Sequence, residues 1–82
     1  MRTVVVTGAG GQLGQAVVAA FAGWGDRLLL LDRDATHLHT LYGPDTTQQH
    51  CAGVDLLNRA AVAEAVAHGT QRLGPPTVLC HL

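Results

Sequence analysis

A glycine-rich stretch, Thr7 to Gly14, constrains the fold of this chain more than any other feature of the sequence. It follows the apolar residues Val4-Val5-Val6 and precedes a helical pattern that begins at Leu13. Glycine adopts positive φ values easily and lets a ligand approach the main chain closely. A helix that begins after such a turn directs unpaired N–H groups and the positive end of its dipole at an anion. The stretch therefore predicts a strand–turn–helix unit that holds a phosphate group.

Apolar segments and helical patterns alternate along the rest of the chain. We predict strands at residues 3–7, 27–31, 50–54 and 77–81, and helices starting near residues 13, 35 and 59. Asp34 and Asn58 are the predicted caps of the second and third helices. Unbroken apolar runs indicate parallel strands that are buried on both faces. With right-handed crossovers, the pattern predicts an α/β, doubly wound parallel sheet of the Rossmann type, in the strand order 3-2-1-4.

The first helix carries apolar residues at helical spacing, and these predict the stripe that it buries. Trp24 is interpreted as a packing residue at the end of this stripe. The members of the predicted stripe are Leu13, Val17, Ala20, Phe21 and Trp24.

A polar or glycine residue follows each predicted strand. These residues are Thr7-Gly8, Asp32, Asp55 and His81. In a parallel sheet the carboxyl ends of the strands share one edge, and the ligand binds outside that edge. Asp32 therefore lies where a carboxylate accepts hydrogen bonds from the adenosine ribose, which favours NAD over NADP, although Arg33 could pair with a 2′-phosphate. The alternatives, a helix cap for Asp32 and a loop carboxylate for Asp55, stay open.

The composition excludes several function classes. The chain of 82 residues has a net charge of −1, so we expect neither nucleic acid nor a membrane surface as a partner. It contains no lysine, which rules out a Walker-type phosphate loop. No apolar run is long enough to span a bilayer, and no signal peptide is visible. We expect one domain, residues 1–82, in a cytoplasmic protein.

These features resemble the amino-terminal, NAD(P)-binding part of the short-chain dehydrogenase/reductase family, over essentially the whole chain. The resemblance implies that the glycine-rich loop holds the pyrophosphate of the dinucleotide and that Leu13 lies against it. It also implies that Asp32 holds the ribose and that Asp55-Leu56 binds the adenine. The candidate cofactor-binding residues are Gly8, Gly10, Gly11, Gln12, Leu13, Gly14, Asp32, Arg33, Asp55, Leu56 and His81.

The branch of the family stays open at this point. Thr7, Gly8, Gly11 and Gly14 match the Thr-Gly-x-x-Gly-x-x-Gly of the extended branch, which includes sugar-nucleotide reductases and epimerases. The third helix, which ends in Arg72-Leu73-Gly74-Pro75-Pro76, instead resembles the ordinary branch.

No catalytic residue can be assigned. The family uses a tyrosine, a lysine four residues later and usually a serine, but here Thr46 follows the single tyrosine, Tyr42, at that distance. The chain has no lysine and no serine, so Tyr42 is interpreted as helix-end packing. We expect the chain to be the NAD-binding portion of an oxidoreductase that transfers hydride to or from an alcohol or carbonyl substrate. An oligomeric enzyme is compatible with this expectation. The alternatives are a non-catalytic nucleotide sensor, a sugar-nucleotide reductase or epimerase, and a partial chain without independent function.

The cysteines and histidines indicate no further site. Cys51 and Cys80 fall on predicted strands three spacings apart, about 14 Å, which is too far for a disulfide. His37 and His39 would form a metal-binding pair only on extended chain, and on a helix they point to different sides. No metal site is predicted, and His50 and His68 have no partner that the sequence identifies.

Overall fold

A computed structural model describes all 82 residues as a four-stranded parallel sheet with three helices. The strands are β1 (Thr3–Thr7), β2 (Arg27–Asp32), β3 (Gln49–Gly53) and β4 (Val78–His81). The helices are α1 (Gln12–Gly23), α2 (Ala35–Tyr42) and α3 (Arg59–Leu73). The order across the sheet is β3-β2-β1-β4, and every neighbouring pair is parallel. The predicted α/β fold and strand order are confirmed.

The helices divide between the two faces of the sheet. Val4 and Val6 of β1 pack towards α1 and α2, whereas Val5 points to the opposite face. Such alternation buries every residue of β1, because a layer of side chains covers each face. The core beneath α1 and α2 contains Val18, Leu28, Leu30, Leu38 and Cys51, and the core on the α3 face contains Leu29, Leu31, Val54 and Leu73.

The stripe predicted for α1 is wrong at Leu13, Ala20 and Trp24, which are all exposed. Leu13 and Trp24 are 65% and 68% exposed, and the residues that α1 buries are Gly14 and Val18. Trp24 is the C-cap of α1, and its ring meets the edge of the Phe21 ring at a centroid distance of 5.3 Å. The helix is turned so that Gly14 rests on the preceding turn, and Leu13 therefore faces solvent.

The two cysteines lie on strands at opposite edges of the sheet, and both thiols are free. Cys51 on β3 is buried and Cys80 on β4 is half-buried. The strand order that the alternating pattern predicts is therefore what keeps them apart. Among the three helices, none combines the length and the apolar character needed to cross a membrane.

Candidate functional site

The glycine-rich turn connects β1 to α1 in a tight loop. Gly8 has a φ of 66°, which side chains rarely tolerate, and its carbonyl accepts a hydrogen bond of 3.2 Å from the Gly11 amide. A Cβ atom at Gly14 would collide with that same Gly8 carbonyl. The first turn of α1 can therefore sit directly against the end of β1 only because Gly14 has no side chain.

The amino terminus of α1 offers free hydrogen-bond donors. Its N-cap, Gly11, provides no side-chain acceptor, and the first turn contains no acidic residue. The amides of Gln12, Leu13 and Gly14 consequently find no acceptor within the chain. Helices α2 and α3 differ, because Asp34 and Asn58 accept from the amides of His37 and Ala61 at 3.2 and 3.1 Å. Three unpaired donors at the positive end of a helix dipole suit an anionic ligand such as a phosphate.

Asp32, at the end of β2, lies beside the glycine-rich turn. One carboxylate oxygen accepts a 2.8 Å hydrogen bond from the Gly10 amide, and the other accepts one of 2.8 Å from the Arg33 amide. Each oxygen of an ionised carboxylate has two lone pairs, so both can accept a further hydrogen bond. The structure thus brings Asp32 together with the turn, while its side chain remains partly exposed.

Two side chains of α2 support the turn from below, and the sequence analysis did not identify this role. The Tyr42 hydroxyl donates a 2.5 Å hydrogen bond to the Ala9 carbonyl, and Nε2 of His37 lies 3.1 Å from the Gly10 carbonyl. Burial raises the pKa of Tyr42, which keeps the hydroxyl protonated as a donor. Interpreting Tyr42 as helix-end packing was incomplete. No local pattern could reveal these contacts, which join residues 27 and 33 positions apart.

The other candidate residues lie on the α3 side of the sheet. Nδ1 of His81 is 2.8 Å from the Thr7 hydroxyl, which joins the ends of β4 and β1. Together with Leu56, these two residues line an open, mainly apolar groove of about 510 Å³ between α3 and β4. Asp55 is exposed, and its carboxylate accepts a 3.0 Å hydrogen bond from the amide of Leu57 in its own loop. The candidates therefore form two groups, the glycine turn with Asp32 and the groove with Leu56 and His81.

The sequence of the chain matches the profile of a family described as "NAD dependent epimerase/dehydratase family" over residues 4–72. This match covers the glycine turn, Asp32 and most of α3. No curated protein sequence matches the chain significantly.

Several solved structures with the same fold are described as short-chain dehydrogenases or reductases. One is a short-chain dehydrogenase/reductase from Brucella melitensis, described as a glucose/ribitol dehydrogenase, with 28% identity and a TM-score of 0.86 over 95% of this chain and 34% of its own. Another is serine dehydrogenase from Escherichia coli, with 26% identity and a TM-score of 0.80 over 94% and 36% of the two chains.

A third structure, 3-ketoacyl-(acyl-carrier-protein) reductase from Brucella melitensis in complex with NADH, shares 24% identity with a TM-score of 0.85. It is matched over 95% of this chain and 32% of its own. The present chain thus spans about a third of the length of each of these proteins. The resemblance to the short-chain dehydrogenase/reductase family is confirmed.

Proposed function

The chain belongs to the NAD dependent epimerase/dehydratase family, and we propose that residues 1–82 are the dinucleotide-binding domain of an NAD-dependent oxidoreductase. The observation that carries this proposal is the start of α1. Helix α1 is the one helix of the three without a side-chain cap, and it begins at the carboxyl edge of the sheet. Free amides at that position match the pyrophosphate of a dinucleotide in charge and in hydrogen-bonding capacity.

Each candidate residue then has a distinct task. The amides of Gln12, Leu13 and Gly14 bind the pyrophosphate, and the exposed Leu13 side chain packs on the dinucleotide. Gly8, Gly10 and Gly11 shape the turn, and Tyr42 and His37 hold it in place through the Ala9 and Gly10 carbonyls. Asp55 and Leu56 bind the adenine, and His81 lies beside the crevice at the end of β4. A bound nicotinamide would supply the hydride chemistry.

Asp32 is the residue that we propose selects NAD over NADP. Its carboxylate accepts from the ribose hydroxyls while the Gly10 and Arg33 amides hold it in place. A 2′-phosphate there would meet a like charge, which costs about 4 kcal/mol per charge pair at ~4 Å and an effective dielectric of 20. Even a third of that cost would outweigh a tenfold preference, about 1.4 kcal/mol. Arg33 is the opposing residue, because its guanidinium could pair with the phosphate.

The test is a titration of NADH and NADPH against the unmodified chain and the Asp32→Asn variant. Asparagine retains an acceptor for the Gly10 amide, so this change removes the charge and gives up only the hydrogen bond from the Arg33 amide, which then faces an NH2 group. We expect the unmodified chain to bind NADH at least about tenfold more tightly, and the variant to lose most of that ratio. Glu64→Gln, an exposed carboxylate on α3, is the matched control and should leave the ratio unchanged. Tighter binding of NADPH by the unmodified chain would refute the assignment.

The hydride transfer itself is a proposal for the whole protein, because the chain spans about a third of the structures it matches. Within these residues Tyr42 is engaged with the Ala9 carbonyl, and neither lysine nor serine is present. We therefore expect the 82 residues to bind NADH without oxidising it in the presence of carbonyl compounds. Turnover by the purified chain would contradict this expectation.

A second candidate function is that of a sugar-nucleotide reductase or epimerase. It is supported by the Gly8, Gly11 and Gly14 spacing and by the family whose profile matches the chain. A non-catalytic nucleotide sensor is the remaining alternative, and it would bind NADH in the same way. Assaying the whole protein with sugar nucleotides and with simple alcohols would distinguish these functions.

A further inference from the structure

A second polar cluster lies away from the glycine turn, where the loop after α2 meets the edge strand β3. Asp45 is its centre. One carboxylate oxygen lies 3.1 Å from Nε2 of His39 and accepts a 2.9 Å hydrogen bond from the Cys51 amide. The other lies 2.6 Å from Nδ1 of His50. The cluster thus joins α2, the loop and β3. His50 and Cys51 pair with the middle of β2, so the cluster lies away from the end of β2 that carries Asp32.

Three residues of this cluster have potential metal-ligand atoms that lie close together. A ring nitrogen of His39, a carboxylate oxygen of Asp45 and Sγ of Cys51 all lie within 4.8 Å of each other. Imidazole, carboxylate and thiolate are the ligand types that Zn²⁺ takes in proteins. From this geometry we propose that His39, Asp45 and Cys51 form a zinc-binding site, which shares no residue with the dinucleotide site.

The spacing of the three atoms suits a small tetrahedral ion after a modest adjustment. Zinc bonds of about 2.0 to 2.3 Å place neighbouring ligand atoms roughly 3.4 Å apart. His39 can supply most of the movement, because its side chain is 41% exposed and sits on the outer side of α2. Cys51 is buried on β3 and acts as the rigid member of the set. A water molecule from the exposed side would complete the four ligands.

Zinc has to compete with a proton for the Cys51 thiol. Burial, together with the nearby Asp45 carboxylate, raises the pKa of Cys51 to about 11, so the thiol keeps its proton when no ion is bound. Zinc binding replaces that proton, which passes to solvent, and the charge of the ion offsets the repulsion between thiolate and carboxylate. His50 then orients Asp45 through the carboxylate oxygen that does not bind the ion, and the His68 ring packs against His50 at a centroid distance of 5.2 Å.

The role of such an ion would be structural. Asp45 belongs to the segment between α2 and β3, and β3 is an outer strand of the sheet. An ion that binds α2, this segment and β3 together adds its binding free energy to the folded state. We expect it to raise the midpoint of thermal unfolding without any change in affinity for NADH.

The test is a titration of the metal-free, reduced chain with Co²⁺ and then with Zn²⁺. Cobalt bound to a thiolate shows a charge-transfer band in the near ultraviolet, which reports directly on Cys51. We expect one equivalent of Co²⁺ to produce the band, Zn²⁺ to displace it, and Zn²⁺ to raise the unfolding midpoint.

Two variants and one matched control identify the ligands. Cys51→Ser should abolish the band, and His39→Ala should weaken Zn²⁺ binding at least about tenfold. His39 is exposed enough for its variant to fold even if Cys51→Ser is unstable. Cys80→Ser, which changes a thiol on the opposite edge strand, should leave the band and the affinity unchanged. Absence of the band in a large excess of Co²⁺, or a band that survives Cys51→Ser, would show that Asp45 is only a hydrogen-bonding centre.

Discussion

Helices α1 and α3 differ in whether a side chain caps the unpaired amides of their first turn. Both helices leave amide groups unpaired in their first turn, as every α-helix does. At α3 the side chain of Asn58 accepts from the Ala61 amide at 3.1 Å, and α2 begins in the same way with Asp34. At α1 the corresponding residue is Gly11, and the amides that follow it have no acceptor within the chain.

We propose that this difference separates a helix start that serves stability from one that serves binding. An N-cap side chain contributes about 1 kcal/mol relative to alanine, whereas glycine at the same position costs only a few tenths. The chain therefore forgoes little at Gly11 and keeps three donors free for a ligand. Contacts from elsewhere hold the turn before α1 in place instead, through the Tyr42 hydroxyl on the Ala9 carbonyl and Asp32 on the Gly10 amide.

The largest effect on stability should come from adding a side chain where α1 contacts the glycine turn. In Gly14→Ala the new Cβ collides with the Gly8 carbonyl, so we expect the free energy of unfolding to fall by about 2 to 3 kcal/mol. The affinity for NADH should fall as well, because the amides move away from the pyrophosphate. Urea denaturation and NADH titration measure the two effects.

Gly23→Ala is the matched control for this change. Gly23 lies in the same helix, and nothing within 4 Å would contact a Cβ there. Alanine is the better helix former, so the variant should be as stable as the unmodified chain or more stable, by up to about 1 kcal/mol. Equal effects at Gly14 and Gly23 would show that α1 does not depend on close contact with the turn.

An intermediate effect should come from removing the cap of α3. Asn58→Ala leaves the Ala61 amide without its acceptor, and we expect a loss of about 1 kcal/mol in the free energy of unfolding. Affinity for NADH should not change, since this cap serves the helix alone. Asn58→Gly should cost only a few tenths of a kcal/mol. A fall in NADH affinity that follows the loss of stability would contradict this separation of roles.

The smallest effect on stability should come from giving α1 the cap that it lacks. Gly11 has a φ of −80°, and a Cβ there meets the Gly8 carbonyl only at 3.6 Å, so a side chain fits. Gly11→Asp should raise the free energy of unfolding by a few tenths of a kcal/mol.

The same substitution should weaken NADH binding at least about tenfold, because the carboxylate occupies the donors and repels the pyrophosphate. Gly11→Ser, which caps without charge, should weaken binding less. If Gly11→Asp left NADH affinity unchanged, the free amides of α1 would not be the anion site.

Most of the fold could be predicted because it follows from local patterns. The predicted strands begin and end within about one residue of the observed ones, because the valines of β1 and the caps Asp34 and Asn58 are local signals. The alternation of strands with helices then determines the strand order. The stripe of α1 was predicted less well. Leu13 and Trp24 have the right spacing, but the contact between Gly14 and the Gly8 carbonyl turns the helix away from them.

The sequence alone determined which residues lie along the carboxyl edge, because the direction of each parallel strand is enough to place Gly8, Asp32 and His81 there. Only the tertiary structure decided how the turn is held, with Tyr42 and His37 reaching it from α2. It also brought His39, Asp45 and Cys51 together, although each alone has an unremarkable local pattern. The reason is physical: strand direction and helix capping depend on neighbouring residues, whereas these contacts depend on how α2 packs against the sheet.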